Sequence, residues 1–150
     1  MSKKFPVGSV AVVLGSSCGI GRAIRDNLVK QNIFHDVISA SRKTSPKVDL
    51  KSERSIIDLV EAIKQRDREL RLVVDATGLL HNETIFPEKN LRSLTQEALL
   101  ENFLVNAIGP TLCLKHLSPL FPKVGKSVFI SLSARVGSVE DNQLGGWYSY

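Results

Sequence analysis

The residues Gly15, Ser16, Ser17, Cys18, Gly19, Ile20 and Gly21 place three glycines among small side chains, directly after the apolar run Val10–Leu14. Glycine lets a backbone turn tightly and approach a ligand closely, and a helix starting there offers unpaired N–H groups to a phosphate. The spacing G-x-x-x-G-x-G departs from the usual G-x-G-x-x-G dinucleotide fingerprint and lacks the Lys-Ser/Thr pair of a P-loop. A plain tight connection is the alternative use of such a turn. Its place between a first strand and a first helix favours a nucleotide. The dinucleotide rule then looks about 20 residues on, at the end of the second strand, for an acid that binds a ribose 2′-hydroxyl. Ser41, Arg42 and Lys43 stand there instead, and Asp36 comes too early to reach. A hydroxyl with two cations suits a 2′-phosphate, so NADP(H) is expected over NAD(H). Arg42 is the expected grip, because a guanidinium holds phosphate oxygens in pairs. The competing account is a solvated basic turn.

These positions need a scaffold, and the chain alternates strand-like with helix-like runs, as a parallel α/β sheet does. Val10–Leu14 is a continuous apolar run of the kind covered on both faces. From Ile20 the period changes, and Ile20, Ala23, Ile24 and Leu28 are expected to line one helix face. Residues 37–40 read as a second strand and 47–50 as a short third. Ser52 is placed to cap a helix whose apolar stripe is Ile56, Leu59, Val60 and Ile63. Lys64, Arg66 and Arg68 crowd that helix's end, where cations complement the dipole. No aromatic residues are interleaved with them, so a nucleic-acid surface is not expected. Residues 72–76 read as a fourth strand and 127–131 as a fifth. Between them Thr95 is placed to cap a long helix with Leu100, Leu104, Ile108 and Leu112 stacked at spacing four.

Composition bounds the rest. The 150 residues are 43% hydrophobic and 23% charged, with a formal charge of +5, an ordinary globular balance for about one domain. No apolar run approaches the roughly 20 residues of a membrane span, and no apolar stretch follows the basic N-terminus as in a secretory leader. Cytoplasmic, reduced thiols are therefore expected. Cys18, Cys113, His35, His81 and His116 share no metal-ligand spacing.

Asn106 has a reading of its own. Pro110 has no N–H, so the Asn106 carbonyl four residues earlier loses its helical hydrogen bond. A bound water is one way to satisfy it, and a plain proline kink is the other.

Taken in order, Gly15–Gly21, Asp49-Leu50, Asp75-Ala76-Thr77-Gly78, Asn106, Ser133 and Tyr150 resemble the short-chain dehydrogenases/reductases across almost the whole chain. The stretch 145–150 resembles their C-factor-like branch. The resemblance implies a Rossmann-like, doubly wound parallel sheet with helices on both faces. It also implies NAD(P)-linked interconversion of an alcohol and a carbonyl on a small-molecule substrate. In such enzymes a tyrosine is the acid/base, a serine bonds the substrate oxygen, an asparagine holds a relay water, and a lysine four residues after the tyrosine lowers its pKa. Carried over, these are Tyr150, Ser133 and Asn106, with Asp49, Leu50, Ala76, Thr77 and Gly78 beside the cofactor. A phenol with a pKa of about 10 needs such a cation to act as a base near neutrality.

Several positions depart from the family pattern. Asp75 replaces an Asn, and a carboxylate cannot donate as an amide does, so weaker support of the central sheet is expected. Ser133 lies four residues before Gly137, one more than is common, which keeps Ser131 as an alternative. Cys18 stands where many NADP-preferring members carry a basic residue, and Tyr148 is an alternative acid/base. The lysine's position falls past Tyr150, and five strands are read where the fold has six or more. The expectation is thus an N-terminal, cofactor-binding portion with its C-terminal part missing, at most trace reductase activity, and a homo-oligomer as an option for the full-length form. The alternative reading is a non-catalytic NADP(H)-binding regulatory or interaction module.

Overall fold

The structure, a computed structural model, describes residues 4–17, 19–143 and 145–150. Four strands form one parallel sheet: β1 (Val10–Leu14), β2 (Asp36–Ala40), β3 (Leu70–Asp75) and β4 (Val128–Ser131), in the order β2-β1-β3-β4. α1 (Gly19–Gln31) links β1 to β2, and α2 (Glu53–Lys64) links β2 to β3. Before β4 run α3 (Gln96–Phe103), a π turn (Leu104–Ile108) and α4 (Gly109–Leu117).

Side-chain alternation divides β1 between two cores. Val10, Val12 and Leu14 join Ile56, Leu59, Val60 and Ile63 of α2, with Cys113 and Leu117 of α4, on one face. Ala11 joins Phe34, Leu72 and Val74 on the other, where α1 contributes Ile24 and Leu28. Every β1 residue is buried, as both faces being covered requires. At β3 the register slips beside Val10 and Ala11, and Arg71 enters the interior. Its guanidinium bonds Glu69, the Val124 carbonyl at 2.7 Å and the Lys126 carbonyl at 3.4 Å, which ties down the turn before β4.

The α2 stripe is buried as its period predicts. Other elements differ from expectation. Residues 47–50 form no strand, only an isolated Ser41–Lys47 bridge. Their backbone is satisfied locally: Val48 N–H bonds Ser41 O at 2.9 Å, and Asp49 N–H bonds Ser55 Oγ at 3.0 Å. Val48 and Leu50 still fill the core. Ser52 occupies the N-cap of α2 without a side-chain bond, since Ser55 Oγ, donating to Ser52 O, does the local work.

On α1 only Ile24 and Leu28 pack inward, whereas Ile20 is 66% exposed. In the long helix Leu100 and Ile108 face outward, and the buried positions are Asn102, Gly109, Cys113 and Leu117. The π turn is the reason. It inserts an extra residue per turn ahead of Pro110 and shifts the phase on which spacing four depends. Thr95 does cap α3, accepting from Ala98 N–H at 3.2 Å. At the end of α2 the cations have partners: Lys64 pairs with Glu61, Arg66 with Asp36, and Arg68 donates to the Gly8 carbonyl.

Candidate active site

The C-terminal ends of β1, β2 and β3 open into one cleft of about 400 Å³. β1 lies between the other two, so the connection to β2 leaves one way and the return to β3 the other. That is the switch point at which open α/β sheets bind ligands.

Gly15 makes the first wall. Its φ is +75°, and a methyl placed there would lie 2.8 Å from the Ala76 carbonyl oxygen. Only glycine meets both conditions. Gly21, the first buried position of α1, presses on the Gly15 carbonyl and would set a methyl 3.3 Å from Ala76 Cβ. The glycines therefore bring the β1–α1 turn against the strand end at Ala76. Arg22 holds the turn from outside by donating to the Ser17 carbonyl. Ser16 is buried, and its Oγ finds no hydrogen-bond partner among the described residues. Cys18 lies outside the described residues.

The second wall is the turn after β2. Ser41 is buried; its Oγ accepts from Lys43 N–H at 3.1 Å, and its own N–H donates to Thr44 Oγ1 at 2.7 Å. That fixed turn projects Arg42 and Lys43 into the cleft, where neither has an ion-pair partner among the described residues. Asp49 and Leu50 follow on the same wall, with Asp49 Oδ1 accepting from Lys51 N–H at 3.1 Å.

Ala76, Thr77, Gly78 and Leu79 form the third wall. Asp75 beneath them is 1% exposed, and its carboxylate accepts from Thr77 N–H at 3.0 Å, from the Thr77 hydroxyl, and from Ser131 Oγ at 2.8 Å. The neighbours thus supply the donors an Asn would have brought, and β3 stays tied to β4 without it. Ser131 is committed to that bond. Asn106, in the π turn, reaches back with its side chain: Oδ1 accepts from Leu79 N–H at 2.7 Å and Nδ2 donates to Leu79 O at 2.9 Å. It clamps the wall as a strand neighbour would.

Of the residues expected from the sequence, Gly15, Ser17, Ser41, Arg42, Asp49, Leu50, Ala76, Thr77 and Gly78 line this cleft together. Ser16, Gly19, Ile20 and Gly21 form the turn behind it. Ser133 and Tyr150 lie outside the lining; both are solvent-exposed, Tyr150 with 39% of its surface free. The sequence reading missed Lys51, which pairs with Glu101 across the cleft, and His81 and Asn82 at its rim. No local spacing signals them, because the contacts join segments about 50 residues apart. Among the described residues no group of His, Cys, Asp or Glu is arranged to hold a metal.

Residues 18–149 match the family model of Enoyl-(Acyl carrier protein) reductase, and the chain belongs to the short-chain dehydrogenase/reductase family. It is 24% identical to 1-hydroxy-2-glutathionyl-2-methyl-3-butene dehydrogenase of Rhodococcus sp. (strain AD45), covering 95% of this chain and 63% of that protein. NADPH-bound carbonyl reductase from chicken fatty liver superposes with a TM-score of 0.79 at 18% identity, over 94% of this chain and 62% of that one. Ligand-free aldohexose dehydrogenase of Thermoplasma acidophilum gives 0.74 at 18% identity, over 89% and 52%. These likenesses establish the Rossmann-like fold, and the chain spans between half and two thirds of each of these proteins.

Proposed function

We propose that this chain is the cofactor-binding portion of an NADP(H)-dependent short-chain oxidoreductase that interconverts a carbonyl and an alcohol on a small molecule. The observation that carries the reading is the pairing of Arg42 and Lys43, unneutralised, with a glycine turn at the strand-order switch point. The donor set fits the cofactor. Gly15 leaves a cradle that a Cβ would fill, and among the described residues Ser16 Oγ is a buried polar atom without a partner and Arg42 and Lys43, where a 2′-phosphate would be met, have no ion-pair partner.

The backbone N–H groups of residues 15–21 and the start of α1 would hold the pyrophosphate. Arg42, supported by Ser41, would hold the 2′-phosphate in paired hydrogen bonds, and Asp49 and Leu50 would flank the base. The bound nicotinamide supplies or takes the hydride. Asn106 fixes the wall at Leu79 and would hold a relay water. Ser133 would hydrogen-bond the substrate oxygen, and Tyr150 would pass it a proton or take one. A lysine four residues after that tyrosine, which family members carry, would make the phenol a usable base. Residues 1–150 then act as one unit of a longer domain, in a cytoplasmic setting and with self-association belonging to the longer form. Among the described residues no helix is long and apolar enough to cross a membrane.

Calorimetric titration with NADPH and NADH tests the reading. The parent chain is expected to bind NADPH about tenfold or more tightly than NADH, the scale of charge-assisted bonds to one phosphate. Arg42→Asp is expected to abolish that preference. A parent that binds NADPH no better than NADH overturns the cofactor assignment.

A further inference from the structure

Away from the cleft, one polar cluster is buried with bonding capacity left over. Glu88, in the loop before α3, is 2% exposed, Asn102 of α3 is 2% exposed, and Ser149 is 5% exposed. The Ser149 hydroxyl donates to Glu88 Oε1, and Asn102 Nδ2 donates to Ser149 Oγ at 2.7 Å. The Glu88 main chain adds a tie, its carbonyl accepting from Trp147 N–H at 2.8 Å. Gly146, with φ +81°, passes so close that a methyl there would lie 2.7 Å from the same carbonyl. Three segments distant in sequence thus meet through the Ser149 hydroxyl, which bonds both Glu88 and Asn102.

Residues 145–150 belong to no helix or strand, so no ladder sets their register. Apolar side chains would fill this space without the cost of burying a carboxylate, but they would not select one register. Directed hydrogen bonds do. The cost is visible: Glu88 Oε2 and Asn102 Oδ1 are buried acceptors with no partner among the described residues. Such groups are rare in native interiors and call for an explanation. Position supplies one. Ser149 immediately precedes Tyr150, and Asn102 stands four residues before Asn106.

We infer that Glu88, Ser149 and Asn102 are positioning residues that lock the segment bearing Tyr150 onto the helix bearing Asn106. The two reactive groups then share one rigid frame; this rests on the role proposed above for Tyr150. None of the three lines the cofactor cleft, so the lock acts on the acid/base side and leaves dinucleotide affinity alone.

Trp147 is the only tryptophan in the chain, so its fluorescence reports this segment without interference. Glu88→Ala and Ser149→Ala are expected to red-shift its emission and to speed amide exchange at residues 145–150 about tenfold or more, the scale of one lost buried hydrogen bond. Exchange in β1 and β3 and the affinity for NADPH stay at parent values. Glu88→Gln keeps an acceptor for Ser149 in a side chain of the same shape, so it is expected to behave as the parent does. Parent-like fluorescence and exchange in both alanine variants would overturn the lock. So would Glu88→Gln loosening the segment as Glu88→Ala does, or all regions loosening together. A parent chain that fails to bind NADPH would strike the proposed cofactor and leave the fluorescence and exchange results standing as the test of the lock.

Discussion

Gly15 carries two separable constraints, and replacing it with alanine measures both. The first is conformational: φ is +75°, a region that costs a residue with a Cβ about 1–2 kcal/mol. The second is steric. The new methyl would stand 2.8 Å from the Ala76 carbonyl oxygen, whereas ordinary contact begins at 3.4 Å, so the β1 end and the Ala76–Thr77 wall must part by 0.6 Å. Overpacking of that kind costs about 1–3 kcal/mol. Gly19 is the internal control, because its φ is +55° but nothing lies within 4 Å of the corresponding methyl. Gly19→Ala therefore pays the conformational cost alone. Gly15→Ala is expected to melt about 2–12 °C below Gly19→Ala, from about 1–3 kcal/mol of steric cost at about 2–4 °C per kcal/mol for a chain of this size. Thermal unfolding followed by circular dichroism measures the gap. Calorimetry is expected to show the matching loss of NADPH affinity in Gly15→Ala, about tenfold or more, because the displaced wall lines the cleft. If the two variants melt within about 1 °C of each other, the close approach of Gly15 to Ala76 is not what requires glycine.

Three further perturbations probe the frame. Asp75→Asn is expected to change stability by less than about 1 kcal/mol, because its amide oxygen can still serve Thr77 and its nitrogen can donate to Ser131, while Asp75→Ala leaves those donors buried without a partner and costs about 2–3 kcal/mol; urea denaturation distinguishes the two. The Cys113 thiol is fully buried, and burial, with the nearby Asp75 charge, pushes its pKa up to about 12, so mass spectrometry is expected to find it unalkylated by iodoacetamide at pH 8 until the chain is unfolded. The Glu53 carboxyl is held below its ordinary 4.5, first by its hydrogen bond to Lys115 and then by that to His116. A lowered folded pKa gives stability that is present above the unfolded value and is lost as pH falls through the folded one. Glu53→Gln is therefore expected to be less stable than the parent at pH 6 and equal to it once pH drops below the folded value. A parent with a flat acid limb would contradict the pairing of α2 with α4.

Local chemistry was legible wherever neighbours in sequence are neighbours in space. The glycine turn, the Ser41-Arg42-Lys43 turn, the α2 stripe and the Thr95 cap could be read off because each depends on backbone conformation or period within one element. The period failed where a distant requirement intervened. In the long helix the π turn at 104–108 lets the Asn106 side chain clamp Leu79, and that contact, 27 residues away along the chain, turned Leu100 and Ile108 outward. Residues 47–50 look like a strand by composition, yet the Ser41 carbonyl and the Ser55 hydroxyl satisfy their backbone, and among the described residues no second strand is recruited beside β2.

By itself the sequence determined the class of fold and the glycine turn that opens α1, since these follow from local backbone geometry and from the spacing of side chains along single elements. Only the tertiary structure decided that Asp75 is served by Ser131 of β4 as well as by Thr77 beyond its own strand, and that Lys51 and Glu101 close one side of the cleft. It alone buried Glu88, Ser149 and Asn102 together. Each depends on which faces meet when the sheet packs, and burial, by removing water as a partner, converts a chance proximity into a bond the protein must make for itself.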